Sequence, residues 1–255
     1  MARIFITGSA DGIGLHTACK LVADGHQVVL HARNTKRAAD AQAACPDAEA
    51  VLVGDLSSLA ETKALAASAS SLGTFDCVIH NAGVRRGQDN AVSRDTGYPR
   101  LFVTNTLAPY VLTALMPLPT RLVFVSSGLH YGGQPRLDTM PRGVKYGDSK
   151  LHNVMLAKYF ARHGVDAAAA VDPGWVPTKL GGRSAPDSID DSARTYMMVA
   201  LGTGAAKTAA SGAYFANSRE VSPQAVASDE AQQDALVAKL AELSGVTISH
   251  GVEGD

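Results

Sequence analysis

The run Arg3-Ile4-Phe5-Ile6, then Thr7-Gly8-Ser9-Ala10-Asp11-Gly12-Ile13-Gly14, then Leu15 to Val22 constrains the fold more than any other part of the chain. It reads as an apolar strand, a glycine-rich turn and a helix. Glycine lets a backbone pass close to a phosphate. The first turn of a helix offers unpaired N–H groups at the positive end of its dipole. A glycine turn seated between a strand and a helix is the context such a motif requires.

The same alternation continues to the end of the chain. Strands are expected at 3–6, 27–31, 49–53, 75–80, 121–126, 166–171 and 212–216. Helices are expected near 12–24, 35–44, 57–71, 98–115, 146–163, 187–200 and 229–243, with a polar tail after the last. Several strands are unbroken apolar runs, such as Leu122-Val123-Phe124-Val125, as in a parallel sheet covered on both faces. There is no repeat and no linker. The reading is one α/β domain over residues 1–255, a doubly wound parallel sheet of about seven strands with right-handed crossovers. Ligands bind such sheets at the carboxyl ends of the strands, where Gly14, Asp55, Asn81, Ser127, Tyr146 and Pro173 all fall.

Tyr146 and Lys150 stand four apart in Tyr146-Gly147-Asp148-Ser149-Lys150. On a helix their Cβ atoms are roughly 5–6 Å apart on one face. At about 6 Å and an effective dielectric of about 20, an ammonium stabilises a phenolate by roughly 2.8 kcal/mol, or about two pK units. That brings a phenol toward proton exchange near neutral pH. Burial of Tyr146 acts the other way, so the lysine's charge, together with that of any bound cation, is expected to exceed the desolvation cost.

Composition narrows the partners. The net charge is −1 and no basic stripe occurs, so no nucleic-acid partner is expected. Cys19, Cys45 and Cys77 are odd in number and lack metal spacing, so they read as buried thiols in a reducing compartment. Met1 runs directly into the first strand, leaving no room for a signal peptide, and no apolar run reaches membrane-spanning length. A cytoplasmic protein without a metal or a membrane contact is expected.

The spacing G-x-x-x-G-x-G after Thr7, with Tyr146-Gly147-Asp148-Ser149-Lys150 downstream, resembles the short-chain dehydrogenase/reductase family. Other landmarks follow in that family's order: Asp55-Leu56, Asn81-Ala82-Gly83, Asn105, Ser126-Ser127 and Pro173-Gly174-Trp175-Val176-Pro177-Thr178. The resemblance covers nearly the whole chain. It implies a Rossmann-type NAD(P)(H)-dependent oxidoreductase that interconverts an alcohol and a carbonyl, a small-molecule substrate, and a symmetric homodimer or homotetramer.

By that resemblance the catalytic tetrad is Asn105, Ser127, Tyr146 and Lys150. Tyr146 is the acid or base. Lys150 bonds the nicotinamide ribose and tunes Tyr146. Ser127, the second of its pair, polarises the substrate oxygen. Asn105 holds a water of a proton relay. The dinucleotide falls to Gly8, Ser9, Gly12, Ile13, Gly14, Arg33, Asp55, Leu56, Asn81, Ala82, Gly83, Pro173, Gly174, Val176 and Thr178, with Tyr146 and Lys150. Family members that use NAD carry an acid after the second strand, where this chain has Ala32. Arg33 stands next and suits a 2′-phosphate, so NADP(H) is expected to be preferred, with NAD(H) possible. Asp11 opposes this, because members that use NADP often carry a cation there.

A substrate flap is expected near 179–200, hinged at Gly181-Gly182, and the long loop 128–145 is a second candidate. His130, Tyr131 and Trp175 are candidates for the substrate wall, and His80 departs from the family's Asn-Asn-Ala-Gly. The runs 101–116 and 150–160 are apolar on more than one face, in keeping with a paired subunit. Two other readings stand beside the oxidoreductase. A redox sensor or scaffold without turnover tends to lose the tyrosine or lysine, which this chain keeps. A nucleotide-sugar epimerase or dehydratase usually has another glycine spacing and a longer C-terminal region.

Overall fold

The computed structural model describes residues 1–85 and 91–248. The polar tail expected after the last helix lies, from residue 249, outside the described residues. Eight strands form one sheet: β1 (Arg3–Ile6), β2 (Gln27–Ala32), β3 (Ala50–Val53), β4 (Cys77–His80), β5 (Arg121–Val125), β6 (Ala167–Asp172), β7 (Ala213–Ala216) and β8 (Arg219–Glu220). Their order is β3-β2-β1-β4-β5-β6-β7-β8. The first seven are parallel, and β8 pairs antiparallel with β7 through Phe215–Glu220 and Ala216–Arg219. β8 is the eighth strand that the sequence reading lacked. It is two residues long, too short to show a period of two.

The helices are α1 (Gly12–Ala23), α2 (Thr35–Ala44), α3 (Leu59–Ser71), α4 (Arg100–Phe102), α5 (Ala108–Leu115), α6 (Tyr146–Arg162), α7 (Ile189–Leu201) and α8 (Glu230–Ser244). Side chains alternate across the sheet and build a core on each face. Phe5, Val29, Val78, Leu122 and Phe124 point to the layer that holds α3, α5, α6 and α8. Ile4, Ile6, Leu30, Ile79 and Val125 point to the layer that holds α1 and α7.

The expected helix 98–115 is three pieces. α4 and α5 are joined by a π-helical turn, Val103–Leu107. Pro109 has no N–H to give the Asn105 carbonyl four residues back, and the Ala108 N–H bonds Val103 O in the wider register. The apolar faces of α5 and α6 are covered within the single chain. Leu151, Val154, Met155, Leu156 and Phe160 are fully buried, and α8 packs on α6. Those residues therefore need no second copy to bury them.

The strand order reverses between β1 and β4. A crevice opens at that point beyond the carboxyl ends of the strands.

Candidate active site

The glycine loop is held from three sides. Gly8 has φ +64°, and a Cβ there would lie 2.8 Å from the Ala82 Cα. A Cβ on Gly14 would lie 2.5 Å from Asn81 Nδ2. Both positions are closed to any other residue without backbone movement. Asn81 Nδ2 donates to Thr7 O at 2.9 Å and Gly8 O at 3.1 Å, while Tyr196 Oη donates to Asn81 Oδ1 at 3.2 Å. Beneath the loop, Gly8 N–H donates to His31 Nδ1 at 2.9 Å, and His31 Nε2 donates to Gly54 O at 2.8 Å. The loop thus selects the Nε2–H tautomer. Burial keeps that ring neutral, with its pKa pulled down to about 4. The sequence gave no reason to single out His31. Ser9 is turned inward: its Oγ donates to Ile6 O at 2.8 Å and accepts from His31 N–H at 2.9 Å. Its side chain therefore supports the loop and does not line the cleft.

The cleft has a volume of about 520 Å³. Its walls include Gly8, Gly12, Ile13, Gly14, Arg33, Asp55, Leu56, Asn81, Ala82, Gly83, Tyr146, Lys150, Pro173 and Thr178. Gly174 and Val176 stand behind this wall. Gly174 N–H is bonded to Asp172 Oδ1, and Val176 is buried. Asp55 ends in a tight turn, its Oδ1 accepting from the backbone and hydroxyl of Ser57 at 2.9 and 2.8 Å.

One end of the cleft is charged. Asn34 caps α2 by accepting from Arg37 N–H at 3.0 Å. That cap points Arg37 at the glycine loop. Its Nη2 donates to Ala10 O at 2.8 Å and Asp11 Oδ2 at 2.7 Å. Lys179 Nζ reaches the same Asp11 Oδ2 at 2.7 Å. Asp11 is therefore not a bare negative charge in this place, as the sequence suggested, but the centre of two ion pairs. Arg33 is exposed at the same end. Arg37 and Lys179 escaped the sequence reading because only the folded loop brings them to Asp11.

The other end carries the chemistry. Asp148 fixes the start of α6 by accepting from Lys145 N–H at 2.9 Å and Gln134 N–H at 2.7 Å. Tyr146 then opens the helix, with Lys150 one turn on. Ser126 Oγ donates to Lys150 O at 2.8 Å, while Ser127 Oγ accepts from Leu129 N–H at 3.3 Å and stands close enough to Tyr146 to lower its pKa. Lys150 Nζ donates to Val125 O at 2.8 Å and lies 5.6 Å from the Tyr146 ring centroid.

Asn105 sits in the π turn and does not itself line the cleft, which it meets through Val84. Its Oδ1 accepts from Val84 N–H at 2.8 Å, and its Nδ2 donates to Val84 O at 3.0 Å and Ser149 Oγ at 3.1 Å. It clamps the backbone after Asn81-Ala82-Gly83 to the tyrosine helix.

Among the chain's own groups, burial outweighs charge at Tyr146. It pushes the pKa up to about 12, and Asp172 adds to this; Arg85 and Ser127 pull the other way without winning. Burial lowers the pKa of Lys150 to about 8, with Asp172 raising it. Arg85, whose Cζ is 5.2 Å from the Tyr146 ring centroid, is a cation on the ring that the sequence reading missed.

The loops differ from expectation. His130 is buried, its Nδ1 donating to Ser127 O at 2.8 Å and its Nε2 accepting from Gln224 N–H at 3.1 Å, so it braces the loop and is no substrate wall. Tyr131 Oη donates to Ser222 O at 2.6 Å, and Trp175 Nε1 to Gly181 O at 2.8 Å. Residues 189–200, expected in the flap, belong to helix α7, which packs on α1. The segment that lies outside helix and strand is 173–188. His80 is buried, donating or accepting at Thr113 Oγ1 at 2.8 Å, and stacks on Phe124. Among the described residues, no helix is long and apolar enough to cross a membrane.

The short chain dehydrogenase family model matches residues 2–188. An oxidoreductase of Emericella nidulans that is itself uncharacterised is 48% identical over 98% of this chain and 100% of its own. The short-chain dehydrogenase chry4 of Gibberella zeae is 40% identical over 97% and 99% of the two chains. Among solved structures, an uncharacterised protein from Mycobacterium paratuberculosis superposes with a TM-score of 0.80 and 25% identity, covering 97% of this chain and 95% of that one. The chain belongs to the short-chain dehydrogenase family. It is an oxidoreductase of that family, dependent on a nicotinamide dinucleotide and acting between an alcohol and a carbonyl.

Proposed function

We propose that the protein is an NADP(H)-preferring carbonyl reductase or alcohol dehydrogenase with Asn105, Ser127, Tyr146 and Lys150 as its working set. The observation that carries this reading is a cleft with Tyr146 and Lys150 at one end, Ser127 near Tyr146, and a glycine loop ringed by Arg33, Arg37 and Lys179 at the other. The residues fit a dinucleotide: the closed Cβ positions at Gly8 and Gly14 leave backbone, not side chains, facing the cleft.

When bound, the nicotinamide supplies or accepts the hydride. The chain supplies the rest. Ser127 orients the substrate oxygen by hydrogen bonding. Tyr146 Oη gives its proton to that oxygen in reduction and takes it back in oxidation. In the reducing direction a raised phenol pKa is favourable, since the acid stays protonated. Lys150 is placed to bond the ribose and, with its charge, to assist the phenolate. Asn105 keeps Val84 and α6 in register. Gly8, Gly12, Ile13, Gly14, Asn81 to Gly83, Pro173 and Thr178 line the dinucleotide's path, with Asp55 and Leu56 at its adenine end.

Arg33 grips the 2′-phosphate through its planar fork. Arg33→Ala is expected to weaken NADP(H) binding by about 1.5–3 kcal/mol and to leave NAD(H) nearly unchanged. The test is kcat/KM for both cofactors, in wild type and Arg33→Ala, with a panel of ketones, quinones and aldehydes. An unchanged NADPH/NADH ratio would remove Arg33 from the phosphate site.

A further inference from the structure

Arg33, Arg37, Arg85, Arg100, Lys150 and Lys179 line the cleft, and the ion-paired ones gather at its glycine-loop end. Arg37 and Lys179 are tied to Asp11 at the glycine loop, with Arg33 beside them. Lys150 is buried and bonded to Val125 O. Arg85 stands at the opposite end, its guanidinium 5.2 Å from the centroid of the proton-donating ring. It lines the cleft. The residue before it, Val84, is fixed through both its N–H and its C=O by the Asn105 amide. The base of the side chain is thus rooted, and the head faces the place where a substrate must sit.

None of the ion pairs among the described residues includes Arg85. A guanidinium in a partly enclosed site presents a planar fork that matches an oxyanion such as a carboxylate.

Asp172, of the opposite sign, also acts on the acid and raises its pKa. It ends β6, and its Oδ2 lies 3.2 Å from where a Cβ on Gly128 would stand, next to Ser127. The carboxylate repels an anionic group and the guanidinium attracts it, so an anionic group of the substrate is directed to Arg85.

We propose that Arg85 binds a carboxylate carried by the carbonyl substrate, so that the enzyme selects oxo acids over neutral ketones. This rests on the reading of Tyr146 as the proton donor.

The test uses benzoylformate, benzoylacetate and 3-benzoylpropionate, each against its methyl ester, followed by NADPH oxidation. Wild type is expected to favour at least one acid over its ester by about tenfold or more in kcat/KM. Arg85→Met should bring that ratio to about one, and Arg85→Lys should keep part of it, since a point charge lacks the fork. Any effect of Arg85 on Tyr146 cancels in the ratio, because acid and ester use the same proton donor. A wild-type preference for the esters, or a ratio that Arg85→Met leaves unchanged, would overturn the assignment. So would indifference to all six compounds in an enzyme that reduces other neutral ketones. Failure to oxidise NADPH or NADH with any carbonyl would count against the oxidoreductase reading instead.

Discussion

The Asp11 carboxylate and the Arg37 guanidinium lie 2.7 Å apart at the mouth of the glycine loop, and Lys179 reaches the same oxygen at 2.7 Å. A carboxylate where a cation would favour a 2′-phosphate thus gathers two cations from elsewhere in the chain. Asp11→Ala frees both. The ratio of kcat/KM for NADPH over NADH is expected to rise by about two- to fivefold, the scale of one partly exposed ion pair. A fall in that ratio would show that Arg37 needs Asp11 to be in place.

Tyr146→Phe keeps the ring and removes only the proton. Turnover should drop by about 10²–10⁴-fold, while dinucleotide affinity measured by fluorescence titration stays within about a few-fold. Lys150→Met should damage both quantities, since Lys150 is buried near the Tyr146 ring and is proposed to bond the ribose as well. Near-wild-type turnover in Tyr146→Phe would remove the mechanism.

Much of this was legible in the sequence. Backbone-level signals carried the fold: β1 and α2 lie at the residues expected, and the other long elements differ by one or two at their ends. The glycine loop and the Tyr146–Lys150 helix were legible from their spacing taken together with the strand–helix context and the family's other landmarks. What stayed hidden depends on contacts between distant segments. Arg37 and Lys179 become functional only because Asp11 lies between them. Arg85 looks like any loop arginine until its head is seen on the Tyr146 ring. His31 reads as a strand residue, yet its two ring nitrogens join Gly8 to Gly54. The π turn at Asn105 needed Pro109 to be read four residues back, against a helical pattern that looked unbroken. The sign of the Tyr146 shift depends on burial, which spacing does not report.

Four buried histidines, His31, His80, His130 and His152, make stability depend on pH, because burial lowers the pKa of each. Burial holds His31 and His152 at about 4 and His80 at about 3, below the ordinary histidine value. With folded pKa values under the unfolded one, the unfolded chain takes up protons first. The stabilisation is complete above about pH 6.5 and is lost as pH falls toward the folded values. The melting temperature should therefore decline steadily from about pH 6.5 to 4. A flat melting curve across that window would mean that these rings titrate as if exposed.

The charges around Tyr146 predict opposite shifts from two substitutions at one site. Burial raises the phenol most, with Asp172 adding to it, while Arg85 and Ser127 lower it. Lys150 and Tyr196 are the other titratable groups that face the ring. Alcohol oxidation needs the phenolate, so its rate climbs with pH toward the Tyr146 pKa. Arg85→Met removes a lowering influence and should move that limb to higher pH by about half to one unit. Asp172→Asn removes a raising influence and should move it down by a similar amount. Carbonyl reduction needs the protonated phenol, so its alkaline fall-off should move in the same directions. The measurement is log kcat against pH for both reaction directions with saturating cofactor. If the two variants shift the limb the same way, disturbed packing and not charge is responsible; if neither shifts it, the limb belongs to a group other than Tyr146.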